Sequence, residues 1–434
     1  LEHRRTRAAF VVMPKTLLAV DVTKKPWEQD PPLHNRWHPD IPAVATVKPG
    51  EVFKVETIDW TGGQIKNDDS ADDVKNVDLT QVHYLSGPIA CEGAEPGDLL
   101  KVEILDVGPL PGDEWGFTGT FHKDNGGGFL TDHYPQATKA CWDFEGVYCC
   151  SRHIPGVRFA GIIHPGLIGT APSAELLAMW NEREAALVAE EGTPSQKTSC
   201  CLMYTRPLAC LPNKVGAMLG KMGHFTEKMG KDSTWDKTGG EAARTVPGRE
   251  NGGNCDIKNL SRGCVVYLPV FVPGGNLSMG DMHFSQGDGE VSFCGAIEMS
   301  GFLDLKLSVI KQGMKLLPAV GPSPLSVNPI FEIGPMEPRY SEYLVFEGIC
   351  VDEQGKQHFL DATLAYKRAV LNCIKYLANF GYSEEQVYLL LSCCPCEGRI
   401  SGIVDVPNAV ATLAIPLAMF TDQDVRPKAG DVLA

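Results

Sequence analysis

The segment P-G-R-E-N-G-G-N-C-D-I-K-N-L at positions 247–260 opens a region in which two Gly-rich loops enclose an apolar run. The run, Cys264 to Val272, is short, β-branched and aromatic, and turn residues bound it on both sides. This pattern predicts a buried strand. The second loop reads G-D-M-H-F-S-Q-G-D-G-E at 280–290, and A-I-E follows at 296–298. Polar side chains from both loops can converge if the chain doubles back after the strand.

The two loops carry residue types that bind divalent metals. Asp281 and His283 are two positions apart, so an extended segment places both side chains on one face. A carboxylate beside an imidazole suits a zinc-like ion. We therefore predict four metal ligands, which are Asp256, Asp281, His283 and Glu298. We predict two catalytic carboxylates that transfer protons, which are Glu250 and Glu290.

The spacing alone does not assign these roles uniquely. Members of the acidic set can exchange the roles of ligand and base, and a Gly-rich hairpin with solvated acids is the competing interpretation of a single D-x-H. The accumulation of carboxylates, an imidazole and glycines within two short loops favours a functional site.

The same motifs resemble the acetamidase/formamidase family of amide hydrolases, and more closely its formamidase branch. W-H-P-D-I-P at 37–42 and S-G-P-I-A-C-E-G-A-E-P-G-D at 86–98 extend the resemblance, which runs from Met13 to Pro427. It implies a jelly-roll-like β-sandwich core, a small amide substrate with formamide preferred over acetamide, and a homotrimer or higher homo-oligomer. With the polar Gly-rich loop at 122–133, it leads us to expect four substrate-pocket residues, which are His122, Asn125, Gly127 and Cys294.

Three functions remain open at this level. In the first, a divalent metal lowers the pKa of bound water to about 7, and a carboxylate moves the proton to the departing ammonia. In the second, Cys255 or Cys294 attacks the amide covalently, assisted by a glutamate and Lys258. In the third, the loops form a non-catalytic site for a small amide or a metal. A serine amidase is disfavoured, because no G-x-S-x-G elbow is present.

Composition excludes several classes of partner. The chain has 54 acidic and 39 basic residues, for a net charge of −15, and no basic stripe, so we expect no nucleic-acid partner. No uncharged apolar run reaches 18 residues, and the first residues lack the apolar core of a secretory signal. We therefore expect no membrane segment. Fifteen scattered cysteines without such a signal predict reduced thiols in a cytoplasmic protein.

Frequent short strands, few helices and regular Gly/Pro turns predict a mainly β protein with α/β additions, that is, a sandwich core decorated by peripheral helices and long loops. Helix starts are predicted after Ser173 and Asp361, and Ser383 with Gln386 predicts a capping box. We expect five segments along the chain: a tail or remnant at 1–12, an N-terminal β-rich lobe at 13–190, a turn-rich excursion at 191–250, a central β segment with the site at 251–330, and a C-terminal α/β portion at 331–434.

Overall fold

The structure is a computed structural model that describes residues 14–191, 209–317, 319, 321–335 and 338–427. The tail predicted at 1–12 lies outside these ranges, as does part of the excursion predicted at 191–250. The described part of that excursion is more regular than expected, since it contains two helices and the start of a sheet.

The described residues form short strands throughout, numbered here in chain order. They are β1 Lys15–Leu18, β2 Arg36–Trp37, β3 Ala45–Val47, β4 Val52–Thr57, β5 Leu85–Cys91, β6 Leu99–Pro109, β7 Trp115–Thr120, β8 Thr138–Glu145, β9 Tyr148–Ser151, β10 Ile154–Ala160, β11 His164–Gly169, β12 Ala243–Arg244, β13 Gly248–Arg249, β14 Gly252–Asn254, β15 Val265–Pro269, β16 Leu277–His283, β17 Phe293–Met299, β18 Gly301–Ile310, β19 Ile330–Glu332, β20 Tyr343–Ile349, β21 Glu397–Gly402 and β22 Val410–Pro416.

Helices are fewer than strands. The α-helices are α1 Asp72–Lys75, α2 Ala174–Glu191, α3 Phe225–Lys228, α4 Ser233–Glu241, α5 Ala362–Ala378 and α6 Glu384–Cys393. Short 3-10 turns lie at Pro26–Glu28, Leu79–Gln81, Gly220–Met222, Gly313–Leu316 and Leu417–Met419. The prediction of a mainly β protein with peripheral helices is confirmed.

Two large sheets form the core. One contains six strands in the order β1-β4-β18-β6-β15-β19, and the other has the path β10-β9-β8-β7-β17-β16-β11-β14-β13 with β5 and β3 beside β16. A single apolar cluster joins them, because it holds Phe53 and Leu303 from the first sheet with Leu277 and Ile297 from the second. Burying one apolar face of each sheet against the other gives a β-sandwich.

Alternation of side chains sets which face of each strand enters this core. On β6, Leu100, Val102 and Ile104 are buried, while Lys101 and Glu103 between them keep contact with water. This period of two is what a sheet with one solvated face requires. Strand β15 pairs antiparallel with β6. The run predicted as a buried strand at 264–272 is therefore a strand, although β15 is shorter than predicted.

Strand β16 lies inside the second sheet and differs from this pattern. Every residue of it is buried, including Asp281 and His283. It pairs with β11 on one side and with β17 on the other, where His283 lies opposite Glu298. Buried charges in a central strand are costly unless they are paired or bind metal, which marks this end of β16 for function.

The helix signals predicted from the sequence are present. The Ser173 hydroxyl accepts a hydrogen bond from Leu176 N at 3.1 Å, and the Asp361 carboxylate accepts one from Leu364 N at 2.9 Å. Ser383 and Gln386 form the reciprocal capping box of α6. Because these caps depend only on local residues, the sequence predicts them well.

Strands from the segments 13–190 and 251–330 share both large sheets, and the division of the chain into segments stays a prediction. The C-terminal portion forms a separate three-stranded sheet, β20-β22-β21, against which α5 packs. The contact is close, since a Cβ at Gly348 of β20 would lie 2.0 Å from the Ala365 carbonyl oxygen of α5.

Twelve cysteines in the described ranges are free thiols, and ten of them are buried. Cys210 is disulfide-bonded, so the expectation of reduced thiols throughout is wrong at this position. None of the helices in the described ranges has both the length and the hydropathy that crossing a bilayer requires.

Candidate active site

A cavity of about 590 Å³ opens beside the end of β16. One part of its wall is apolar and consists of Trp60, Leu79, Val82, Phe121, Val246 and Phe293. The other part is polar and includes His83, Asp256, Asp281, Gln286, Glu290 and Glu298. An apolar pocket with a few convergent polar groups is the usual form of a small-molecule site.

Two neighbouring strands position the first three candidate ligands. His283 Nε2 lies 3.1 Å from Glu298 Oε2 across the β16–β17 pair. Asp281 comes from the same strand as His283, and its Oδ1 lies 3.5 Å from the same nitrogen. The i, i+2 spacing therefore brings both side chains of β16 together, as the period of a strand requires.

Two loops supply the remaining acids, Asp256 before β15 and Glu290 after β16. The amides of Cys255 and Asp256 both donate to the Gly166 carbonyl, at 3.0 and 3.1 Å, which fixes the first loop against β11. Glu290 Oε1 accepts a hydrogen bond from Gly295 N at 3.1 Å. Both loops therefore present a carboxylate to the cavity from a backbone that hydrogen bonds hold in place.

Backbone strain is concentrated at this cluster. Asp256, Asp281 and Glu290 have φ angles of 47°, 56° and 42°, in the left-handed region that side-chain-bearing residues seldom adopt. Such conformations cost about 1–3 kcal/mol each and persist where the surrounding structure imposes them, which is most common at functional sites.

The residues present fit a metal ion. Ligand atoms of Asp256, Asp281 and His283 lie within 4.8 Å of one another, and so do those of His283, Glu290 and Glu298. His283 Nε2 and Glu298 Oε2 are buried without a hydrogen bond despite their separation of 3.1 Å. One nitrogen with several carboxylate oxygens is a donor set suited to a zinc-like divalent ion.

The tautomer of His283 strengthens this fit. Gln286 Nε2 donates to the Asp256 carbonyl at 2.6 Å, so Gln286 Oε1 is the atom that faces His283 Nδ1, at 3.0 Å. An amide oxygen only accepts, and Nδ1 must therefore carry a proton. Nε2 then points at carboxylate oxygens, an arrangement that is stable only with a cation between them, either a proton or a metal ion.

The pKa values of the clustered groups reflect their burial and the charges of their neighbours. Burial acts to lower the pKa of His283, but Glu298 and Asp281 reverse this and hold it well above its usual value. Burial and the charge of Asp281 raise the pKa of Asp256 to about 7. Burial also raises the pKa of Glu298 to about 7, against the opposing effect of His283. A bound dication would relieve the repulsion among these acids, as it does in metal sites generally.

Three residues of the site were missed from the sequence. Gly166 lies under the cluster, where a Cβ would be 2.4 Å from His283 Cε1 and 2.8 Å from Asp281 Oδ2. Gln286 links His283 to the Asp256 backbone, and its Oε1 also lies 2.9 Å from His164 Nε2. The motif H-P-G at 164–166 was the available sequence signal for Gly166, and no local pattern indicated Gln286.

His83 is the third missed residue. Its ring lines the cavity and packs against Trp60 with centroids 5.3 Å apart. Burial lowers the pKa of His83, with Asp281 acting in the opposite direction. The ring is therefore neutral near pH 7. Its sequence context, H-Y-L-S-G-P, reads as part of the β core and gave no sign of chemistry.

The structure does not bring Glu250 into the cluster. Its carboxylate accepts hydrogen bonds from Trp180 Nε1 at 2.7 Å and from Arg183 NH1 at 2.7 Å. Burial raises the pKa of Glu250, but Arg183 more than offsets this and the net direction is downward. This ionised carboxylate is held against α2 and lines no part of the cavity described above, and the catalytic role of Glu250 stays a prediction.

The pocket residues expected from the Gly-rich loop also lie off the cavity wall. His122 accepts from Asp124 N within its own loop, and Asn125 donates to the carbonyls of Lys75 and Val77 next to α1. Gly126 reaches the wall, whereas Gly127 beside it does not. The side chains of His122 and Asn125 hydrogen-bond within the loop or next to α1. The loop therefore contributes Gly126 to the cavity wall, where the side chains of its neighbours were expected.

Cys294 lies behind the wall, in an apolar cluster with Trp60 and Phe121. Burial raises the pKa of its thiol well above the usual value. Cys255 does line the cavity, but burial raises its pKa to about 12. Lys258 is turned away and pairs with Asp288 at 2.8 Å. Thiols without thiolate character are poor nucleophiles.

Comparisons with known proteins find relatives that match almost the whole chain. A family model described as "Acetamidase/Formamidase family" matches residues 19–422. The chain is 56% identical over 415 residues to "Formamidase" of Methylophilus methylotrophus, covering 96% of each chain. It is 53% identical over 396 residues to "Acetamidase" of Mycolicibacterium smegmatis, covering 89% of this chain and 91% of that protein. Among solved structures, "gamma lactamase from Delftia acidovorans" matches with a TM-score of 0.87 and 54% identity, over 96% of this chain and 95% of that one.

Proposed function

The chain belongs to the acetamidase/formamidase family, and we propose from this premise that it is an amide hydrolase that converts formamide and other short linear amides to the carboxylate and ammonia. The observation that carries the proposal is the convergence of four carboxylates at the wall of one cavity, two buried and two half-buried, with the buried imidazole of His283 beside them. Relatives named formamidase and acetamidase, at 56% and 53% identity, support the same activity.

Amides resist hydrolysis because resonance weakens the carbonyl as an electrophile and makes the nitrogen a poor leaving group. The oxygens of Asp281 and Glu298 lie 3.5 and 3.1 Å from His283 Nε2, and we assign these three residues as the ones that would hold a divalent metal, zinc by its donor set, with Asp256 as a further ligand. When bound, such an ion acidifies water and polarises a carbonyl.

Glu290 is the proposed proton carrier. Burial, together with the charge of Asp256, holds its pKa well above the usual value. In its ionised form, a carboxylate with a raised pKa is a stronger base than a free carboxylate, so it can take the proton of the attacking water and, once protonated, pass it to the departing nitrogen. Glu290 itself lines the cavity, so its side chain can reach a bound amide.

The activity is tested by incubating purified protein with formamide and acetamide and measuring released ammonia and carboxylate in equal amounts. Activity that is lost on chelation and returns with zinc supports metal-assisted hydrolysis. Absence of turnover with every short amide, in protein with a full metal complement, would refute the proposal and leave a binding function.

Replacing Glu290 with Gln is expected to lower kcat for formamide by about 10²–10⁴. The amide keeps the shape of the side chain but cannot carry the proton. Metal content measured by atomic emission should stay at the wild-type level. The matched control is Glu342→Gln, since Glu342 pairs with Arg426 at the surface with 70% of its side chain exposed. Loss of metal in the Glu290 variant would instead make Glu290 a ligand.

Serine at Cys255 or Cys294 is expected to leave kcat within about threefold of wild type, because neither thiol has the thiolate character that nucleophilic attack requires. Steady-state kinetics of the two single variants and the double variant check this. A variant that folds, binds metal and yet has no turnover would revive the covalent cysteine mechanism.

A second substrate class is favoured by the size of the cavity. Its volume of about 590 Å³ far exceeds a molecule of three heavy atoms, and Trp60, Phe121 and Phe293 give it an apolar surface. The relative of known structure named a gamma lactamase shares 54% identity. We therefore propose γ-lactams as additional substrates. Ring opening followed by chromatography, with formamide in parallel, tests this, and a kcat/KM for every lactam at background level would exclude the class.

We also propose that the protein is a homo-oligomer, a trimer or larger, located in the cytoplasm. The family resemblance supports the first statement, and the twelve free thiols support the second. Sedimentation velocity of the purified protein tests the assembly, and a single species at the 47.1 kDa mass of one chain would refute it.

A further inference from the structure

Two neighbours, Thr245 and Trp60, fix the position of His83. The His83 backbone N–H donates to Thr245 Oγ1 at 2.7 Å, and the same oxygen lies 3.3 Å from His83 Nδ1. Thr245 is fully buried. On the other side, Trp60 packs against the His83 ring at an interplanar angle of 53°. The ring is therefore held by a hydrogen bond at one nitrogen and by an aromatic face.

These contacts determine which nitrogen carries the proton. A backbone N–H only donates, so Thr245 Oγ1 accepts from it and its own hydroxyl hydrogen needs an acceptor. Among the described residues, Nδ1 of His83 is the acceptor within reach. Satisfying a buried hydroxyl in this way makes Nδ1 the acceptor. A neutral imidazole then has its hydrogen on Nε2.

The remaining nitrogen faces the cavity. His83 lines the cavity wall, and its Nε2 neither hydrogen-bonds to a described residue nor is sealed in the interior. A neutral imidazole with Nε2–H is a donor at this position and cannot accept from an amide N–H. The atom of an amide that matches it is the carbonyl oxygen.

We propose that His83 is a catalytic residue that donates a hydrogen bond from Nε2 to the substrate carbonyl oxygen as that oxygen gains negative charge. This inference rests on the proposed amide hydrolysis and adds a group to it. The water oxygen bonds to the carbonyl carbon and gives its proton to Glu290. The C–N bond then breaks, and Glu290 passes that proton to the nitrogen, which leaves as ammonia. His83 keeps its proton throughout, and the carboxylic acid ionises in solvent.

Such a donor acts mainly on the transition state, because the oxygen is most negative there. His83→Ala is therefore expected to lower kcat for formamide by about 10²–10³, with KM changed by less than about threefold. His83→Gln, whose side-chain amide can also donate, should recover part of the loss. Metal content of both variants should equal that of wild type, because His83 is outside both candidate ligand groups.

Thr245 supplies the test of the tautomer. Thr245→Val removes the hydroxyl that donates to Nδ1, and should lower kcat by less than His83→Ala does, while Thr245→Ser keeps the hydroxyl and serves as the matched control. Nitrogen-15 NMR of histidine-labelled protein at pH 7 should show His83 protonated at Nε2 in wild type and in the serine variant, and a mixture of tautomers in the valine variant.

The outcomes separate this inference from the proposed function. An active wild type whose His83→Ala variant keeps kcat within about threefold would overturn the role of His83 alone, and so would a wild-type His83 protonated at Nδ1. A wild type with full metal and no turnover of any amide would overturn both proposals. A larger rise in KM than fall in kcat would show ground-state binding and also contradict the inference.

Discussion

Replacing His283 with Gln is expected to abolish metal binding and amide hydrolysis together. His283 belongs to both candidate ligand groups, and it supplies the nitrogen donor in each. Without the imidazole, the buried carboxylates of Asp281 and Glu298 face each other with no compensating group. Removing one partner from a buried charged cluster typically lowers the free energy of unfolding by about 3–5 kcal/mol. Metal content, formamide turnover and thermal unfolding are the three measurements.

A control substitution at a second histidine distinguishes loss of the metal site from a general effect of replacing histidine with glutamine. His224 lies outside the cavity, where it stacks on Trp27 with ring centroids 5.4 Å apart. His224→Gln should therefore keep wild-type metal content and kcat. If His283→Gln fails to fold, the double variant His283→Gln/Glu298→Gln removes the Glu298 carboxylate together with the imidazole that compensates it. We expect this double variant to fold and to bind no metal. Full metal and full activity in a folded His283 variant would place the site elsewhere.

Gly166→Ala adds only a methyl group, but we expect it to reduce metal binding and amide hydrolysis nearly as much as His283→Gln does. The new Cβ would lie 2.4 Å from His283 Cε1 and 2.8 Å from Asp281 Oδ2, well inside van der Waals contact. Overpacking of a rigid interior costs about 1–3 kcal/mol, and here the atoms that must move are candidate ligands. Metal affinity should therefore fall together with kcat, whereas the fold should persist.

The matched control is Gly240→Ala in helix α4, where the nearest atom to an added Cβ is 3.7 Å away. There the methyl group should be tolerated, and alanine should favour the helix. Titration with zinc followed by competition with a chelator measures affinity in both variants. Wild-type zinc affinity in Gly166→Ala would show that His283 and Asp281 can move aside, and that the close packing at β11 does not position the site.

Particular residues show where sequence reasoning succeeds. Asp281 and His283 were expected to lie together because residues two positions apart on a strand point to the same face of the sheet. The distance of 3.5 Å between their ligand atoms agrees. The helix starts at Asp361 and Ser383 follow from hydrogen bonds within a single turn. In each case the interacting groups lie within three residues, so the geometry of one element is sufficient.

Glu250 and Glu290 show where such reasoning stops. Both were expected to transfer protons, since both are acids in Gly-rich loops near the same strands. Glu290 lines the cavity, whereas Glu250 binds Arg183 and Trp180 of α2, about seventy residues earlier in the chain. No local pattern distinguishes the two acids, because the residues that bind Glu250 come from a helix that is distant in sequence.

The amino-acid sequence by itself determined the family, the mainly β character and the chemical types at the site. Tertiary structure alone decided which of those side chains meet. Pairing of β16 with β17 sets His283 opposite Glu298, and pairing with β11 places Gly166 beneath them. Gln286 and His83 enter the site through contacts with Asp256 and Thr245, 30 and 162 residues away. Strand register acts across such distances, and the burial that gives each group its chemistry exists only once the sheets have packed.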